Sequence, residues 1–243
     1  MGRLFIVGIG SGSTEYMTEQ ARAAIDSAEV ICGYTGYIDL VRENWPDKRY
    51  LATPMRQELD RCRAALEIAQ NGGTVAMICS GDAGVYGMAA PILELCGDYP
   101  DAEIEIVAGV TAALSGSAVL GAPLGHDFCV ISLSDLLTPW EVIEKRLNAA
   151  AMGDFVTVLY NPGSKKRTEC LRLACETMLQ GGKRPDTVCG VARNIGRAGQ
   201  DSRIMSLEEL KDYKADMFTT IFVGNNSTYA ENGRIITPRG YKR

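Results

Sequence analysis

The sequence predicts an α/β protein with two α/β domains built on mainly parallel sheets. Short β-branched runs alternate with longer segments of helical periodicity along the 243 residues, a pattern typical of strands joined by crossover helices. The alternation is interrupted once, by the linker-like run Gly121-Ala122-Pro123-Leu124-Gly125. We therefore expect an N-terminal domain over residues 1–120 and a C-terminal domain of different topology over residues 121–243.

In the first half, the clearest element is a helix over residues 55–70, where apolar side chains from Leu59 to Ala69 recur at helical spacing. Thr53-Pro54 is a start signal for this helix, and Asn71-Gly72-Gly73 is a stop signal. The other elements expected in this half are strands over residues 4–7, 30–32, 74–79 and 103–107, and helices over residues 19–27 and 111–120.

The second half is predicted to begin with a strand over residues 129–133. Further strands are expected over residues 155–160, 187–193 and 218–223 and near Ile235, with helices over residues 139–149 and 165–179 and a short one from Leu207. Thr138-Pro139-Trp140-Glu141 and Ser206-Leu207-Glu208-Glu209 both fit the capping box that starts a helix.

Composition excludes several classes of protein. A formal charge of -5 argues against a nucleic-acid partner, because phosphates require a broad basic face. The apolar run at the N-terminus is broken after four residues by Gly8, so it is too short for a signal peptide or a membrane span. We therefore expect a cytoplasmic protein. Its eight cysteines include no C-x-x-C pair and it has one histidine, which indicates buried reduced thiols and no metal site.

Three segments place small polar residues where predicted strands end. They are residues 80–87, residues 109–113 and residues 132–135. Ligands of open α/β sheets lie at this edge, because backbone groups are unpaired there and glycine allows close approach to the main chain. Three such segments in one chain indicate a ligand site.

The glycine run after the first strand does not indicate a dinucleotide. In Gly8-Ile9-Gly10-Ser11-Gly12-Ser13, the third glycine of a G-x-G-x-x-G pattern falls on Ser13. The second strand also leads into Gly33-Tyr34-Thr35-Gly36, so the acidic residue that would hold an adenosine ribose is missing.

Asp82 has two interpretations. Its carboxylate fits a cap of the turn that follows the strand. Flanked by Gly81 and Gly84, it also fits a site for an amino-acid end group and a ribose, which are the polar parts of S-adenosylmethionine.

These segments together make the chain resemble the tetrapyrrole methyltransferases from residue 4 to about residue 226. The resemblance rests on the glycine loop and on later motifs in the same order: Gly81-Asp82-Ala83-Gly84-Val85-Tyr86-Gly87, Gly109-Val110-Thr111-Ala112-Ala113, Gly125-His126-Asp127-Phe128, the run over residues 132–140 and Tyr160-Asn161-Pro162. It implies a homodimer with the cofactor between the two domains, beneath an open trough for the macrocycle.

The reaction implied by this resemblance is methylation of precorrin-3B, or its cobalt counterpart, at C-17, with loss of C-20 from the ring. S-adenosylmethionine would be the cofactor, S-adenosylhomocysteine a product and a corrinoid tetrapyrrole the substrate. A sister enzyme acting at another ring carbon, or a non-catalytic binding protein of the same fold, is the alternative.

The resemblance also implies site residues. Those expected to bind the cofactor are Gly81, Asp82, Val85, Thr111, Ala112, Tyr160, Ala192 and Thr220. On the substrate side, the resemblance implies Gly8, Gly10 and Gly12, and the places of Ser132, Asp135 and Asn161 at predicted strand ends add these three residues. A tight turn is the alternative role of the glycines, and an ordinary loop ahead of the Thr138 cap is that of Ser132 and its neighbours.

Ring contraction requires proton transfer, for which His126, Ser134 and Tyr160 are the candidates. His126 is the one side chain whose ordinary pKa suits acid-base work at neutral pH, and a structural role at the linker is its alternative. Carboxylates of the substrate require cations. Arg193 and Arg197 are the favoured ones because a guanidinium fork suits carboxylates, whereas Lys165 and Lys166 also fit an ordinary helix surface.

Overall fold

The computed structural model describes residues 1–164 and 167–241 and divides into two compact units, Met1–Ala112 and Ala113–Arg243. The division precedes the helix that the sequence placed at the end of the first domain. The expected cations Lys165 and Lys166 lie outside the described residues.

The first unit holds a five-stranded sheet in the order β3-β2-β4-β1-β5, in which all neighbours are parallel. Its strands are β1 (Gly2–Gly8), β2 (Val30–Tyr34), β3 (Arg49–Thr53), β4 (Thr74–Cys79) and β5 (Ala102–Val107). Its helices are α1 (Glu19–Ser27), α2 (Thr35–Ile38), α3 (Glu58–Gln70) and α4 (Ala89–Leu95), with 3-10 turns at Thr14–Tyr16 and Cys96–Asp98.

Both faces of this sheet are buried, as expected for parallel strands joined by helices. In β1, Leu4 and Ile6 belong to the core on one face, and Phe5 and Val7 belong to the core on the other. Because successive side chains of a strand alternate, one apolar run supplies both cores.

Helix α3 begins later than predicted. Arg56 has φ 70°, a left-handed conformation that cannot continue into a right-handed helix, so α3 starts at Glu58. Leu59, the first apolar residue of the helical repeat, is 50% exposed. Leu59 lies at the flank of the buried stripe, and Arg61 occupies a buried position one turn before Ala65.

The second unit begins with α5 (Ala112–Leu120), whose first residue belongs to the first unit. The elements that follow are β6 (Gly121–Ala122), β7 (Phe128–Ser132), α6 (Trp140–Met152), β8 (Val156–Tyr160), α7 (Cys170–Gln180), β9 (Val188–Arg193), β10 (Asp201–Ser206), α8 (Leu207–Leu210), β11 (Thr219–Val223), β12 (Tyr229–Glu231) and β13 (Arg234–Ile236). They form a sheet in the order β10-β9-β11-β8-β7 and a smaller one in the order β12-β13-β6.

The α/β class is confirmed, but the second large sheet is mixed. Only β7 and β8 pair in parallel, whereas β11 pairs antiparallel with both β8 and β9. Helix α6 connects β7 to β8 and helix α7 connects β8 to β9, so the three strands run in the same direction, as predicted. β11 then inserts between β8 and β9 in the opposite direction, which the order of elements along the chain does not reveal. The strands β3, β6, β10 and β12 and the helices α2 and α4 were not predicted.

The two predicted capping boxes have different outcomes. The one at Ser206 is confirmed: its hydroxyl accepts from the Glu209 N–H, and the Glu209 carboxylate accepts from the Ser206 N–H. The one at Thr138 is wrong, because the N-cap of α6 is Pro139 and has no side-chain cap. Within the described residues, no helix is long and apolar enough to cross a membrane.

Candidate functional site

In the first unit, the carboxyl ends of β1, β4 and β5 meet through glycine backbone. Gly10 and Gly81 exchange two backbone hydrogen bonds, with N–O distances of 3.0 and 2.7 Å. A Cβ on Gly109 would lie 2.2 Å from the Gly81 carbonyl oxygen and 2.5 Å from that of Gly8. No side chain fits there, so the three loops approach one another only because these residues are glycines.

Asp82 ties two of these loops together. Its Oδ1 accepts hydrogen bonds from the N–H groups of Gly84 and Val85, at 2.8 and 3.2 Å. Its Oδ2 accepts from the Gly109 N–H at 2.9 Å. The turn-capping interpretation of Asp82 is therefore observed, and the carboxylate also fixes the loop after β5.

Gly81 differs from Gly109 in the space around its Cα. Its φ of 72° favours glycine, but a Cβ there would meet no atom closer than 3.6 Å, at Thr111 Cα, with the Ala112 nitrogen at 3.7 Å. The structure thus brings Gly81, Asp82, Thr111 and Ala112 together in a cradle, where a Cβ on Gly81 would make ordinary van der Waals contact. Binding of the amino-acid and ribose groups of S-adenosylmethionine at this cradle stays a prediction.

The predicted substrate-side glycines are buried. A Cβ on Gly8 would lie 2.6 Å from the Gly109 nitrogen, and one on Gly10 would lie 2.4 Å from the Tyr16 carbonyl oxygen. Gly12 is also buried. Packing is sufficient to explain Gly8 and Gly10, so their substrate role stays a prediction without contact evidence.

In the second unit, Ser132 and Tyr160 are register partners at the carboxyl ends of β7 and β8. The Ser132 hydroxyl accepts from Asn161 Nδ2 at 2.9 Å and from the Ser134 N–H at 3.3 Å. The Tyr160 hydroxyl accepts from the Ala113 N–H at 2.6 Å. Four predicted site residues therefore share one sheet edge, and Asn161 adopts the left-handed φ of 54° that its turn requires.

Arg167 joins this edge, although it is not one of the two favoured cations. Its Nη1 donates to the Leu133 carbonyl at 3.3 Å, and its Nε lies 3.8 Å from an Asp135 oxygen. The predicted substrate residue Asp135 thus has a cationic neighbour that holds the loop after β7.

Ala192 and Thr220, predicted to bind the cofactor, are paired across β9 and β11, and both are buried. The next residue along β9, Arg193, donates from Nε to Asp216 Oδ2 at 2.8 Å. Burial by itself raises the pKa of Asp216, but hydrogen bonds from Arg193, Thr219 and the Phe218 N–H outweigh it and lower the pKa.

Because Asp216 holds the Arg193 fork, a substrate carboxylate would have to compete with this ion pair. The Arg197 guanidinium lies over the Phe218 ring, 5.7 Å from its centroid.

His126 lies apart from the other candidates for proton transfer. It precedes the amino end of β7, whereas Ser134 follows the carboxyl end of β7 and Tyr160 is the last residue of β8. Its side chain is 51% exposed, and Nδ1 accepts from the Asp127 N–H at 2.9 Å. The structure does not bring His126 together with Ser134 and Tyr160 within this unit.

Sequence reasoning missed Arg61 of α3. Its side chain is 4% exposed, and its Nε has no hydrogen-bond partner among the described residues. Its spacing from two buried alanines could have indicated that Arg61 is buried. It lies four residues before Ala65 and eight before Ala69, on the buried stripe of the helix.

Comparison with known proteins identifies the family. The family model of the Tetrapyrrole (Corrin/Porphyrin) Methylases matches residues 3–211. The chain belongs to the tetrapyrrole methylase family. This methylase is 45% identical to a Salmonella typhimurium protein named probable cobalt-factor III C(17)-methyltransferase, over 98% of this chain and 99% of that one.

A further relative of this methylase has a related name, and a solved structure has the same fold. A Sinorhizobium protein named precorrin-3B C(17)-methyltransferase is 40% identical, over 99% of this chain and 97% of its own length. The crystal structure of the methyltransferase CobJ superposes with a TM-score of 0.90 at 37% identity, covering 98% of this chain and all of that one. The chain is therefore a methyltransferase of the tetrapyrrole methylase fold.

Proposed function

We propose that the protein transfers a methyl group from S-adenosylmethionine to C-17 of a tetrapyrrole, cobalt-factor III or precorrin-3B, with contraction of the ring in cobalamin biosynthesis. The observation that carries the proposal is likeness over nearly the whole length to two relatives, both named for methyl transfer to C-17. Their names differ in the metal state of the substrate, so cobalt-containing and metal-free forms are both candidates.

The residues fit the cofactor in each unit considered by itself. In the first unit, Gly81, Val85, Thr111 and Ala112 would contact it along the cradle held by Asp82. In the second, Tyr160, Ala192 and Thr220 would contact it at the ends of β8, β9 and β11. When bound, S-adenosylmethionine supplies a methyl group on a sulfonium, which an electron-rich carbon can attack directly.

The contribution of the protein to methyl transfer is mainly alignment and exclusion of water, because attack of carbon on a sulfonium needs little proton chemistry. The three backbone donors on Asp82 hold the loops after β4 and β5 in one arrangement. The Ala113 N–H holds the Tyr160 hydroxyl, and Asn161 and Ser134 hold Ser132. These contacts preorganise both sheet edges before any ligand arrives.

Ring contraction requires a proton to leave one substrate group and another to be delivered elsewhere. Of the predicted residues, Ser134 and Tyr160 lie at an edge that also carries the substrate-side residues Ser132 and Asn161. The Ala113 N–H holds the Tyr160 hydroxyl at this edge, and a phenol is a group that can donate a proton. We therefore favour Tyr160 over His126 for proton transfer.

The decisive experiment is incubation of the purified protein with methyl-labelled S-adenosylmethionine and either cobalt-factor III or precorrin-3B. Product mass and ring carbon connectivity should show one added methyl group at C-17 and a contracted ring. Methylation at another carbon would indicate a sister enzyme, and binding without turnover would indicate a ligand-binding protein. Either result would contradict the proposal.

We further expect a cytoplasmic homodimer that releases S-adenosylhomocysteine. The support is the family resemblance, together with the lack of a membrane-spanning helix in the described chain. Light scattering on the purified protein should give a molar mass twice the 26.3 kDa of one chain.

A further inference from the structure

A small cavity lies in the first unit at the carboxyl ends of β2 and β4. Its walls include Tyr34 at the end of β2, Cys79 at the end of β4, and Glu58 and Arg61 from the start of α3. Its volume is about 160 Å³. Pockets that enclose a drug-sized ligand begin at roughly 300 Å³, so this cavity suits one side arm of a larger molecule.

Arg61 brings a buried positive charge to this cavity. The side chain is 4% exposed, yet the described residues place no carboxylate oxygen within 4 Å of its guanidinium. Its Nη1 donates to Thr53 Oγ1 at 2.7 Å and more weakly to the Thr53 carbonyl at 3.5 Å, while Nε has no partner. A buried charge is costly unless an opposite charge and hydrogen bonds compensate it.

The polar groups around Arg61 do not provide that compensation. Burial raises the pKa of Cys32 to about 12 and those of Cys62 and Cys79 to about 11, although Arg61 itself acts to lower all three. These thiols are therefore neutral at pH 7. Glu58 is the one acidic residue of the cavity wall, and its Oε1 accepts from the Arg56 N–H rather than from Arg61.

The cavity wall also contains a backbone conformation that is uncommon for a large side chain. Tyr86 has φ 54° and is 57% exposed, so its ring is held at the cavity without being buried by protein. Tyr34 and Tyr37 of the same wall form an edge-to-face pair with centroids 5.2 Å apart. Strained backbone beside a buried charge is typical of ligand sites.

We propose that this cavity is a carboxylate subsite, in which the Arg61 guanidinium receives one acetate or propionate arm of the tetrapyrrole substrate. The inference rests on the proposed function, because that function supplies a ligand with carboxylate arms. An arm entering the cavity would provide the anion that the surrounding residues lack, with the fork geometry that a guanidinium offers. Arg61 is then a substrate-binding and orienting residue, and Glu58 opposes any anion in the same cavity.

The test is equilibrium dialysis of cobalt-factor III against wild-type protein and four variants, with S-adenosylmethionine affinity measured alongside. Arg61→Met should bind cobalt-factor III about 10- to 100-fold more weakly, the loss expected for a charge-assisted hydrogen bond, with unchanged affinity for S-adenosylmethionine. Glu58→Gln should bind it more tightly, because a like charge is removed. The matched control Arg63→Met removes the same charge from an exposed position of α3 and should bind like wild type.

Stability separates binding from a structural role. Arg61→Met should be at least as stable as wild type without ligand, because it removes an uncompensated buried charge. If Arg61→Met fails to fold, two other variants decide. Weak binding of cobalt-factor III by folded Arg61→Lys, together with tight binding by Glu58→Gln, would support the subsite. Any other result would assign Arg61 a structural role and overturn the inference.

Two failures can be distinguished. If wild type methylates cobalt-factor III but folded Arg61→Met keeps wild-type affinity, or Arg63→Met loses as much, this inference is overturned and the proposed function stands. If wild type neither binds nor methylates cobalt-factor III or precorrin-3B, both are overturned.

Discussion

Asp82 shows that a structural and a binding role can be combined in one carboxylate. The sequence left a turn cap and a ligand contact as alternatives, and the structure contains the cap with a third hydrogen bond to Gly109. An ionised carboxylate offers about four acceptor positions, so three backbone donors leave about one. A ribose hydroxyl or an ammonium group could use the remaining position, and the ligand contact stays a prediction.

Replacing Asp82 should therefore affect stability as well as cofactor binding. Asp82→Ala should lower the free energy of unfolding by about 2 kcal/mol and weaken S-adenosylmethionine binding at least tenfold, because the loops lose their shared acceptor. Asp82→Asn, which keeps one acceptor oxygen, should lose less of both. Urea unfolding and calorimetry measure the two effects, with the exposed Asp60→Ala as control. Wild-type cofactor affinity in Asp82→Ala would remove this residue from the site.

Tightly packed glycines such as Gly8 and Gly109 determine how closely the carboxyl ends of β1, β4 and β5 approach one another. The Gly8 and Gly109 backbones approach within distances that no Cβ tolerates, whereas a Cβ on Gly97 would meet nothing within 4 Å. Glycine is therefore required at the junction by backbone contact, and at Gly97 it is not.

Alanine at these positions should separate the two cases. Gly8→Ala should destabilise the protein by about 2 kcal/mol or more, because main chain must move to relieve the collision. Gly97→Ala should change the stability by less than about 0.5 kcal/mol. Thermal unfolding of both variants measures the difference, and equal midpoints would refute a packing requirement at Gly8.

Helix α8 illustrates how capping couples stability to pH. Hydrogen bonds from the Ser206 backbone N–H, and then from its hydroxyl, lower the pKa of Glu209 below its ordinary value of 4.5. A lowered folded-state pKa gives a contribution that is fully present above the unfolded pKa and is lost as the pH falls through the folded one.

Ser206→Ala should lower the free energy of unfolding by about 1 kcal/mol at pH 7, the usual value of an N-cap. The difference from wild type should shrink as the pH falls below 4.5, because the protonated Glu209 no longer accepts as an anion in either protein. Thr138→Ala is the control, since Thr138 does not cap α6. Urea titrations from pH 7 to pH 3 test this, and a difference that is independent of pH would contradict it.

For the whole molecule, the prediction that most cysteines are buried is confirmed. All eight cysteines are free; six are buried, and Cys96 and Cys129 are half-buried. Burial raises the pKa of Cys175 to about 12 and that of Cys189 well above 9.0, so the reactive thiolate is scarce at neutral pH.

Alkylation of the native protein at pH 7.5 should therefore be slow and selective. Mass spectrometry should find iodoacetamide first on Cys96 and then on Cys129, whose pKa is raised by burial. The protein unfolded in urea should react at all eight positions. Rapid labelling of Cys189 in native protein would show that the second unit opens.

The predictions from sequence are confirmed where residues close together in the chain determine the structure. Helix α1, strand β4 and the Ser206 cap depend on periodicity and capping over a few residues, and they match the prediction. The loops after β4 and β5 were also placed correctly, because parallel strands bring their carboxyl ends to one edge.

Residue patterns along the chain were sufficient to predict the α/β class, the family and the segments that line each sheet edge. Only the tertiary structure decided that β11 lies between β8 and β9, that Asp216 holds Arg193, and that His126 is apart from Tyr160. That Arg61 is buried, with no carboxylate partner among the described residues, likewise appears only in three dimensions. The physical reason is that strand pairing, burial and charge compensation join residues far apart in the chain.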